Sequence, residues 1–344
     1  KNKKKIKNFK KTFIQYSPVG VVVLIIPWNF PLIVLSERLP FILAAGCTVV
    51  VKPSEYAGQG IVELLKIIKK ANLPKGVINF VSGRGKNVGV KLIKSNKTKM
   101  VSFTGSTKVG REIYQHCAKD FKRVNLELGG KNKFIILNKI EFNKTVDELI
   151  RNFTFNSGQN CVAASEVYIN QKIFKKFTKI LINELNKKIH DLNLIISNKD
   201  HYNRTKKLIN FLNKRNYKTL NKISKNEKKN HLFPRVYGPE VMKEKVMKEE
   251  NFAPIITINK FKSSEDLIKI INDNDYGLAI YLWGNKKKIL PLVPKIEVGR
   301  IWVNSEMINF PNLPIGGLKH SGLNKEAGYT GIEGYSNIKT VICS

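Results

Sequence analysis

The run VVVLII (21–26), followed by TVVVK (48–52), GVINFV (76–81) and MVSFTG (100–105), decides the fold. Each run is short, continuously apolar and bounded by turn residues, the pattern of a strand buried on both faces. Between the runs the spacing turns helical. Ile61, Leu64, Leu65 and Ile68 fall at i, i+3, i+4 and i+7, one helix face over 61–71, and Pro74 stops it. Buried strands alternating with helices require a parallel sheet covered on both sides. Residues 18–128 therefore read as a Rossmann-like, doubly wound α/β domain.

A second α/β domain, read as 129–334, begins after the Gly129-Gly130 step. KFIIL (133–137) and EVYI (166–169) read as strands, 143–155 as a helix leading into the loop that carries Cys161, and 171–188 and 264–273 as further helices. The polar, Lys-rich stretch 189–235 is left as a variable surface region. TFIQYS (12–17) and NIKTVIC (337–343) read as strands, which sets 1–17 and 335–344 apart from the two domains.

The chain has 344 residues, enough for two ordinary cores, and 42% hydrophobic content places it among globular proteins. Its net charge of +35 is extreme, and such charge often marks a nucleic-acid or membrane surface. Here the lysines are dispersed and accompanied by Asn and Ile, as in KRNYKTLNKISKNEKKN (214–230), with no finger spacing and no basic-aromatic platform. A general compositional drift explains the charge better than nucleic-acid binding. The longest apolar run, VGVVVLII (19–26), is too short to span a bilayer, and it is needed as a strand. Cys47, Cys117, Cys161 and Cys343 show no framework spacing, which fits a reducing, cytoplasmic setting, and the five histidines show no metal-ligand spacing.

The residues that carry chemistry are Cys161 in FNSGQNC (155–161) and Glu127 in LELGGK (126–131). A thiol is the nucleophile that captures a carbonyl, and a carboxylate among apolar neighbours, here Leu126 and Leu128, makes a base able to activate water. Either residue alone has a plainer reading, a core thiol or a solvated carboxylate. In FTGSTKVG (103–110), Gly105, Ser106 and Gly110 stand at a strand-to-helix junction, where N–H groups and a hydroxyl can meet a pyrophosphate. Lys52 and Glu55 close the strand in VVVKPSE (49–55), where open α/β sheets hold ribose hydroxyls.

These strings, with PVGVVVLIIPWNFP (18–31), LPKGVINFVSG (73–83), KEENFAP (248–254) and LPIGGLKHSG (313–322), resemble in order and register the NAD(P)-dependent aldehyde dehydrogenase family. The resemblance implies oxidation of an aldehyde to its acid through a cysteine thiohemiacetal and thioester. Cys161 would be nucleophile, Glu127 the hydrolytic base and Asn29 an oxyanion donor, with Lys131 tuning the local field. Ile26, Pro27, Trp28, Lys52, Ser54, Glu55, Gly83, Gly105, Ser106, Gly110, Leu128, Gly129, Glu250 and Phe252 would contact NAD, with NADP the lesser choice. In the family the end strands form a small oligomerisation sheet, so self-association into a dimer or tetramer is expected, with no nucleic-acid or membrane partner.

Three features depart from the pattern. The members it resembles carry a sizeable segment before the PWNFP string, so the chain reads as a shortened member, with a non-catalytic paralogue as one alternative. CAKDFKRVNLELGG (117–130) and GYTGIEGYSNIK (328–339) look like succinate-semialdehyde enzymes, but Phe155 stands where those tend to carry a substrate-binding Arg, which favours a generic aldehyde. Ala253 replaces the usual Gly after Phe252, which puts that loop's geometry in question.

Overall fold

Val22, Val23, Leu24, Val49 and Val51 are all fully buried, and they sit at the centre of a parallel sheet. The computed structural model describes residues 11–192, 194–223 and 230–343. The basic opening 1–10, residue 193 and the run 224–229 within the unassigned Lys-rich stretch, and residue 344 of the segment read as 335–344 lie outside the described residues. The chain divides into two compact units. One runs to Glu127 and also takes Phe310–Gly316 and everything from Leu323 onward; the other is Leu128–Asn309 with Gly317–Gly322.

In the first unit the chain runs β1 (Lys11–Pro18), β2 (Val21–Ile26), α1 (Pro31–Ala44), β3 (Thr48–Pro53), α2 (Gln59–Lys70), β4 (Ile78–Phe80), α3 (Val90–Lys94), β5 (Thr98–Thr104), α4 (Thr107–Ala118) and β6 (Arg123–Glu127). The sheet order is β6-β5-β2-β3-β4, with every one of these pairings parallel. All carboxyl ends therefore lie along one edge. The order reverses beside β2, between β2 and β5, and this switch point is where open α/β sheets leave a crevice for ligands. β4 is shorter than the run 76–81 had predicted: only Ile78–Phe80 pairs, as fits an edge strand. β1 pairs antiparallel with the strand Ser336–Cys343 as a separate two-stranded ribbon.

The extent of the two units differs from the sequence reading, which gave 129–334 to a single domain. Phe310–Gly316 and the residues after Leu323 belong with the first unit, for an electrostatic reason. Glu326, 1% exposed, lies 3.3 Å from the Arg38 guanidinium and accepts hydrogen bonds from Ser102 Oγ (3.0 Å) and Tyr335 OH (2.9 Å). Arg38 projects from the same face of α1 as buried Val34, Leu35 and Ile42. A buried charge keeps its place only when paired and hydrogen-bonded, so this cluster binds the returning segment to α1 and β5.

In the second unit come β7 (Asn132–Ile136), α5 (Phe142–Thr154), β8 (Ala164–Asn170), α6 (Phe174–Lys188), α7 (Lys199–Lys214), β9 (Arg235–Tyr237), β10 (Ile255–Phe261), α8 (Ser264–Asn272), β11 (Tyr276–Gly277), β12 (Ala279–Trp283) and β13 (Arg300–Val303). Their main sheet has the order β13-β12-β7-β8-β10-β9, parallel throughout. Val146, Leu149, Ile150 and Phe153 of α5 pack against Phe134, Ile136 and Val167. Phe134 stacks on Tyr281 (5.6 Å) and Tyr281 on Trp302 (4.8 Å), an aromatic row across three neighbouring strands.

Arg38→Met should be costly, because it leaves Glu326 buried without its cation. We expect a loss of about 3–5 kcal/mol in urea unfolding. Arg38→Met/Glu326→Leu should recover part of it, and a double variant as damaged as the single one would show that packing, not charge pairing, holds the segment.

Candidate active site

The first unit collects most of the sequence-predicted residues along the carboxyl edge of its sheet. Ile26, Pro27, Trp28 and Asn29 leave β2; Lys52, Ser54 and Glu55 close β3; Gly105 and Ser106 join β5 to α4; Glu127 ends β6. The N–H of Ser54 bonds to Ile26 O at 2.9 Å, tying two of these ends together. Lys52 is 2% exposed, with its ammonium donating to Pro53 O (3.1 Å) and lying 3.8 Å from the Glu55 carboxylate. Ser106 caps α4 by accepting from Val109 N–H. Two of the expected amide donors are already used. Gly105 N–H bonds to Glu127 O (3.0 Å) and Gly110 N–H to Ser106 O (2.9 Å), so neither glycine offers its N–H to a phosphate. Gly83 is also conformational: its φ is +135° and a Cβ there would lie 2.5 Å from Val88.

Glu127 is buried, and Gly316 is why its carboxylate fits. A Cβ on Gly316, whose φ is +154°, would approach Glu127 Oε1 to 2.8 Å. The Glu127 charge is close enough to Arg38 to favour the protonated guanidinium, after the larger effects of burial and of Glu326.

Cys161 belongs to the second unit, half-buried in the loop that follows α5. Asn156 (φ 48°), Ser157 (φ 58°) and Gly158 (φ 71°) are three consecutive left-handed residues that turn the chain out of the helix. Side chains then fix the thiol's backbone. Asn132 Nδ2 donates to Cys161 O (2.7 Å) and Ala163 O (2.9 Å), and Tyr281 OH donates to Val162 O (2.9 Å). The Gln159 amide donates to Asn156 O and accepts from Ser197 N–H. A Cβ on Gly158 would lie 2.3 Å from the Ala253 carbonyl carbon, so the cysteine loop rests directly on the KEENFAP backbone.

Glu250 of that segment accepts the Gly130 N–H at 3.0 Å, and a Cβ on Gly129 would lie 2.5 Å from Glu250 Oε2. Burial pushes the Glu250 carboxyl up to about 7, against the opposing pull of that hydrogen bond and of Arg204 and Lys131. Lys131 is pushed down to about 8 by burial, and its ammonium has no hydrogen-bond partner among the described residues. Phe252 has φ +54°, and Ala253, which stands where the pattern has Gly, is buried. Leu128 N–H bonds to Ser321 O at 2.9 Å.

Comparisons with known proteins show the family. Residues 1–341 match the family model described as "Aldehyde dehydrogenase family". The chain belongs to the aldehyde dehydrogenase family. It is an oxidoreductase that oxidises aldehydes with a nicotinamide dinucleotide. It is similar to the succinate-semialdehyde dehydrogenase [NADP(+)] of Escherichia coli (strain K12), 31% identical over 340 residues, which is 96% of this chain and 70% of that protein. It is 34% identical to the chloroplastic betaine aldehyde dehydrogenase of Atriplex hortensis, over 96% of this chain and 68% of that one. Among solved structures it resembles the NAD+ complex of the aldehyde dehydrogenase of Bacillus cereus, with a TM-score of 0.93 at 30% identity, covering 100% of this chain and 72% of the other.

In each unit, taken by itself, some residues are of a kind that could contact a dinucleotide. The first offers the capped N-terminus of α4 at the switch point and the Lys52/Glu55 pair; the second offers the Glu250 carboxylate against two glycines. Among the described residues no group of His, Cys, Asp and Glu could hold a metal ion, and no helix is long and apolar enough to cross a membrane. Sequence reasoning missed Asn132, Tyr281 and Gly316, the residues that hold the thiol's backbone and give the Glu127 carboxylate room. Asn132 stands one residue after LELGGK, and Gly316 lies within LPIGGLKHSG, where it reads as a turn residue; Tyr281 gave no signal.

Glu250 yields a pH prediction. Its folded value near 7 lies above its ordinary 4.5, so between those values the folded chain keeps a proton that the unfolded chain has released. Stability must fall as pH rises through that window and level off above it. Glu250→Gln should therefore be more stable than the parent at pH 8, by roughly 1–3 kcal/mol, with the gap shrinking toward pH 4.5. Urea midpoints at both pH values check this, and equal midpoints at pH 8 would mean that the carboxyl is solvated.

Proposed function

We propose that this chain oxidises a generic aldehyde to the carboxylic acid with a preference for NAD, using Cys161, Glu127 and Asn29. The observation that carries the reading is the fixed backbone of Cys161, held by Asn132 and flanked by Tyr281, beside a loop that contains Glu250 and Phe252. Cys161 as thiolate adds to the aldehyde carbon. The oxyanion of the thiohemiacetal is stabilised by the Asn29 amide and the Cys161 N–H, and losing one such donor costs about 3 kcal/mol of barrier. When bound, NAD supplies the acceptor for the hydride that leaves this carbon. Glu127 then takes a proton from the water that hydrolyses the Cys161 thioester, and its burial favours its action as a base. Glu250 and Phe252 would hold the nicotinamide end, Lys52 and Glu55 the adenosine ribose, and Ser106 the pyrophosphate.

For the substrate, α5 is informative. Its Arg151 already pairs with both Glu148 and Glu306, which offsets its charge toward a second substrate carboxylate, while Phe155 is 47% exposed. Both facts favour an uncharged aldehyde over a semialdehyde acid. The two-stranded ribbon of β1 with Ser336–Cys343 exposes Ile14, Tyr16, Ile338 and Ile342, which supports self-association into a dimer or tetramer. The four thiols support a cytoplasmic setting.

Cys161→Ala should abolish aldehyde oxidation. Glu127→Gln should slow steady turnover by at least about a hundredfold while sparing the first hydride transfer, seen as an NADH burst on rapid mixing. Full turnover in Cys161→Ala, or a Glu127→Gln variant that loses the burst and the steady rate together, would sink this division of labour.

Glu55 should accept the 2′-hydroxyl of the adenosine ribose and repel a 2′-phosphate. We expect kcat/KM to favour NAD over NADP, and Glu55→Gln to narrow the ratio. An NADP preference in the parent would assign the dominant role to Lys52.

A further inference from the structure

Phe252 carries a strain that the proposed reaction leaves unexplained. Its φ of +54° is an outlier for a bulky aromatic residue, and such conformations persist only where the surroundings over-determine them. The surroundings here come from α7, the helix in the stretch that the sequence left unassigned. His201 Nε2 lies 2.7 Å from Phe252 O, and the two rings meet edge-on with centroids 5.7 Å apart. His201 is 4% exposed, and its own backbone is held by Asn198 Oδ1 at the helix N-cap and by Thr205 Oγ1 one turn on.

The proton placement follows from donor and acceptor types. A carbonyl oxygen only accepts, so Nε2 carries the hydrogen. Burial and the neighbouring Arg204 push the ring down to about 4, so it is neutral at physiological pH and Nδ1 presents a lone pair. Arg204 Nη2 donates to that lone pair at 3.1 Å. The Arg204 charge in turn reaches Glu250, where it favours the carboxylate form. One imidazole thus links the strained backbone of Phe252 to the charge beside Glu250, two residues earlier.

We infer that His201 is a positioning residue for the cofactor, fixing the Phe252 backbone and orienting Arg204 so that Glu250–Phe252 keeps its ribose-binding shape. This rests on the reading of Glu250 and Phe252 as nicotinamide-end contacts. Without the His201 bond the Phe252 backbone loses one of the contacts that hold it at positive φ, and any rotation there shifts Glu250, two residues earlier.

The test is NADH affinity by fluorescence titration on the full chain, independent of turnover. His201→Leu, close in size but without a donor, should bind NADH about tenfold more weakly, the worth of a buried hydrogen bond and its orphaned partner. His201→Gln, which keeps a donor near the Nε2 position, should recover most of that loss. Alkylation of Cys161 by iodoacetamide without cofactor should stay at the parent rate in both, whereas general damage to the unit would change it. His201→Leu/Glu250→Gln should bind NADH no worse than Glu250→Gln alone, because both act on one contact. If Glu250→Gln leaves NADH affinity unchanged, the ribose reading fails and takes this inference with it. If Glu250→Gln weakens binding but His201→Leu does so by less than about twofold, or His201→Gln is as poor as Leu, only the inference is overturned. Should His201→Leu not fold, Arg204→Met removes the cation and leaves the ring. Weaker NADH binding there supports the inference, and unchanged binding overturns it.

Discussion

Two absent side chains set the geometry around Cys161 and Glu250 in the second unit. Gly129 and Gly130 follow β6 directly, and neither has room for a Cβ: one would lie 2.5 Å from Glu250 Oε2, the other 2.9 Å from the Cys161 carbonyl oxygen. Gly158 makes the third close approach, against the Ala253 backbone. Three segments distant in sequence thus meet backbone to backbone. Glycine is used here for proximity more than for conformational freedom, since only Gly158 of the three has a positive φ. Everything that positions the thiol, from the Asn132 amide to the Tyr281 hydroxyl, presupposes that approach.

The same region stores strain and unfavourable burial. Asn156, Ser157 and Phe252 are held at positive φ, Glu250 sits in an environment that disfavours its charge, and Lys131 is buried without a hydrogen-bond partner among the described residues. Each would be corrected if stability alone were being optimised. The surrounding core is what tolerates them. The aromatic row Phe134–Tyr281–Trp302 and the α5 face buried on β7 and β8 are dry and regular, and Tyr281 joins the two regions by stacking with its ring while its hydroxyl holds Val162.

How much of this was legible follows from what each element buries. β2, β3 and β5 could be read because a strand covered on both faces is a continuous apolar run, and Cys161 and Glu127 because their flanking strings match a family. α7 could not be read. Its buried face runs His201, Thr205, Ile209 and Leu212, so half of its inward stripe is polar, and periodicity of apolar residues passes over it. The return of the C-terminal segment to the first unit was equally hidden. It depends on Arg38 and Glu326 finding each other across most of the chain, and no local pattern announces a buried ion pair. The amides of Gly105 and Gly110 show a third limit: a Gly-rich turn reveals conformational permission, but not whether its N–H groups are already bonded.

The charge distribution closes the account of the composition. With 61 basic and 26 acidic residues, the cations far outnumber the carboxylates that could pair with them one to one, and solvation is the usual fate of such excess charge. In the interior, carboxylates are placed where they matter. Arg38 meets Glu326 and Lys133 lies 3.6 Å from Glu166, while buried Lys52 reaches the exposed carboxylate of Glu55 at 3.8 Å. A drift toward lysine is therefore tolerated at solvated positions, where an ammonium costs little, while buried Arg38, Lys52 and Lys133 each lie near a carboxylate; Lys131, buried without a hydrogen-bond partner among the described residues, departs from this and is the costlier for it. On that argument the basic balance describes the protein's surface, and the buried ion pairs describe how its interior is held.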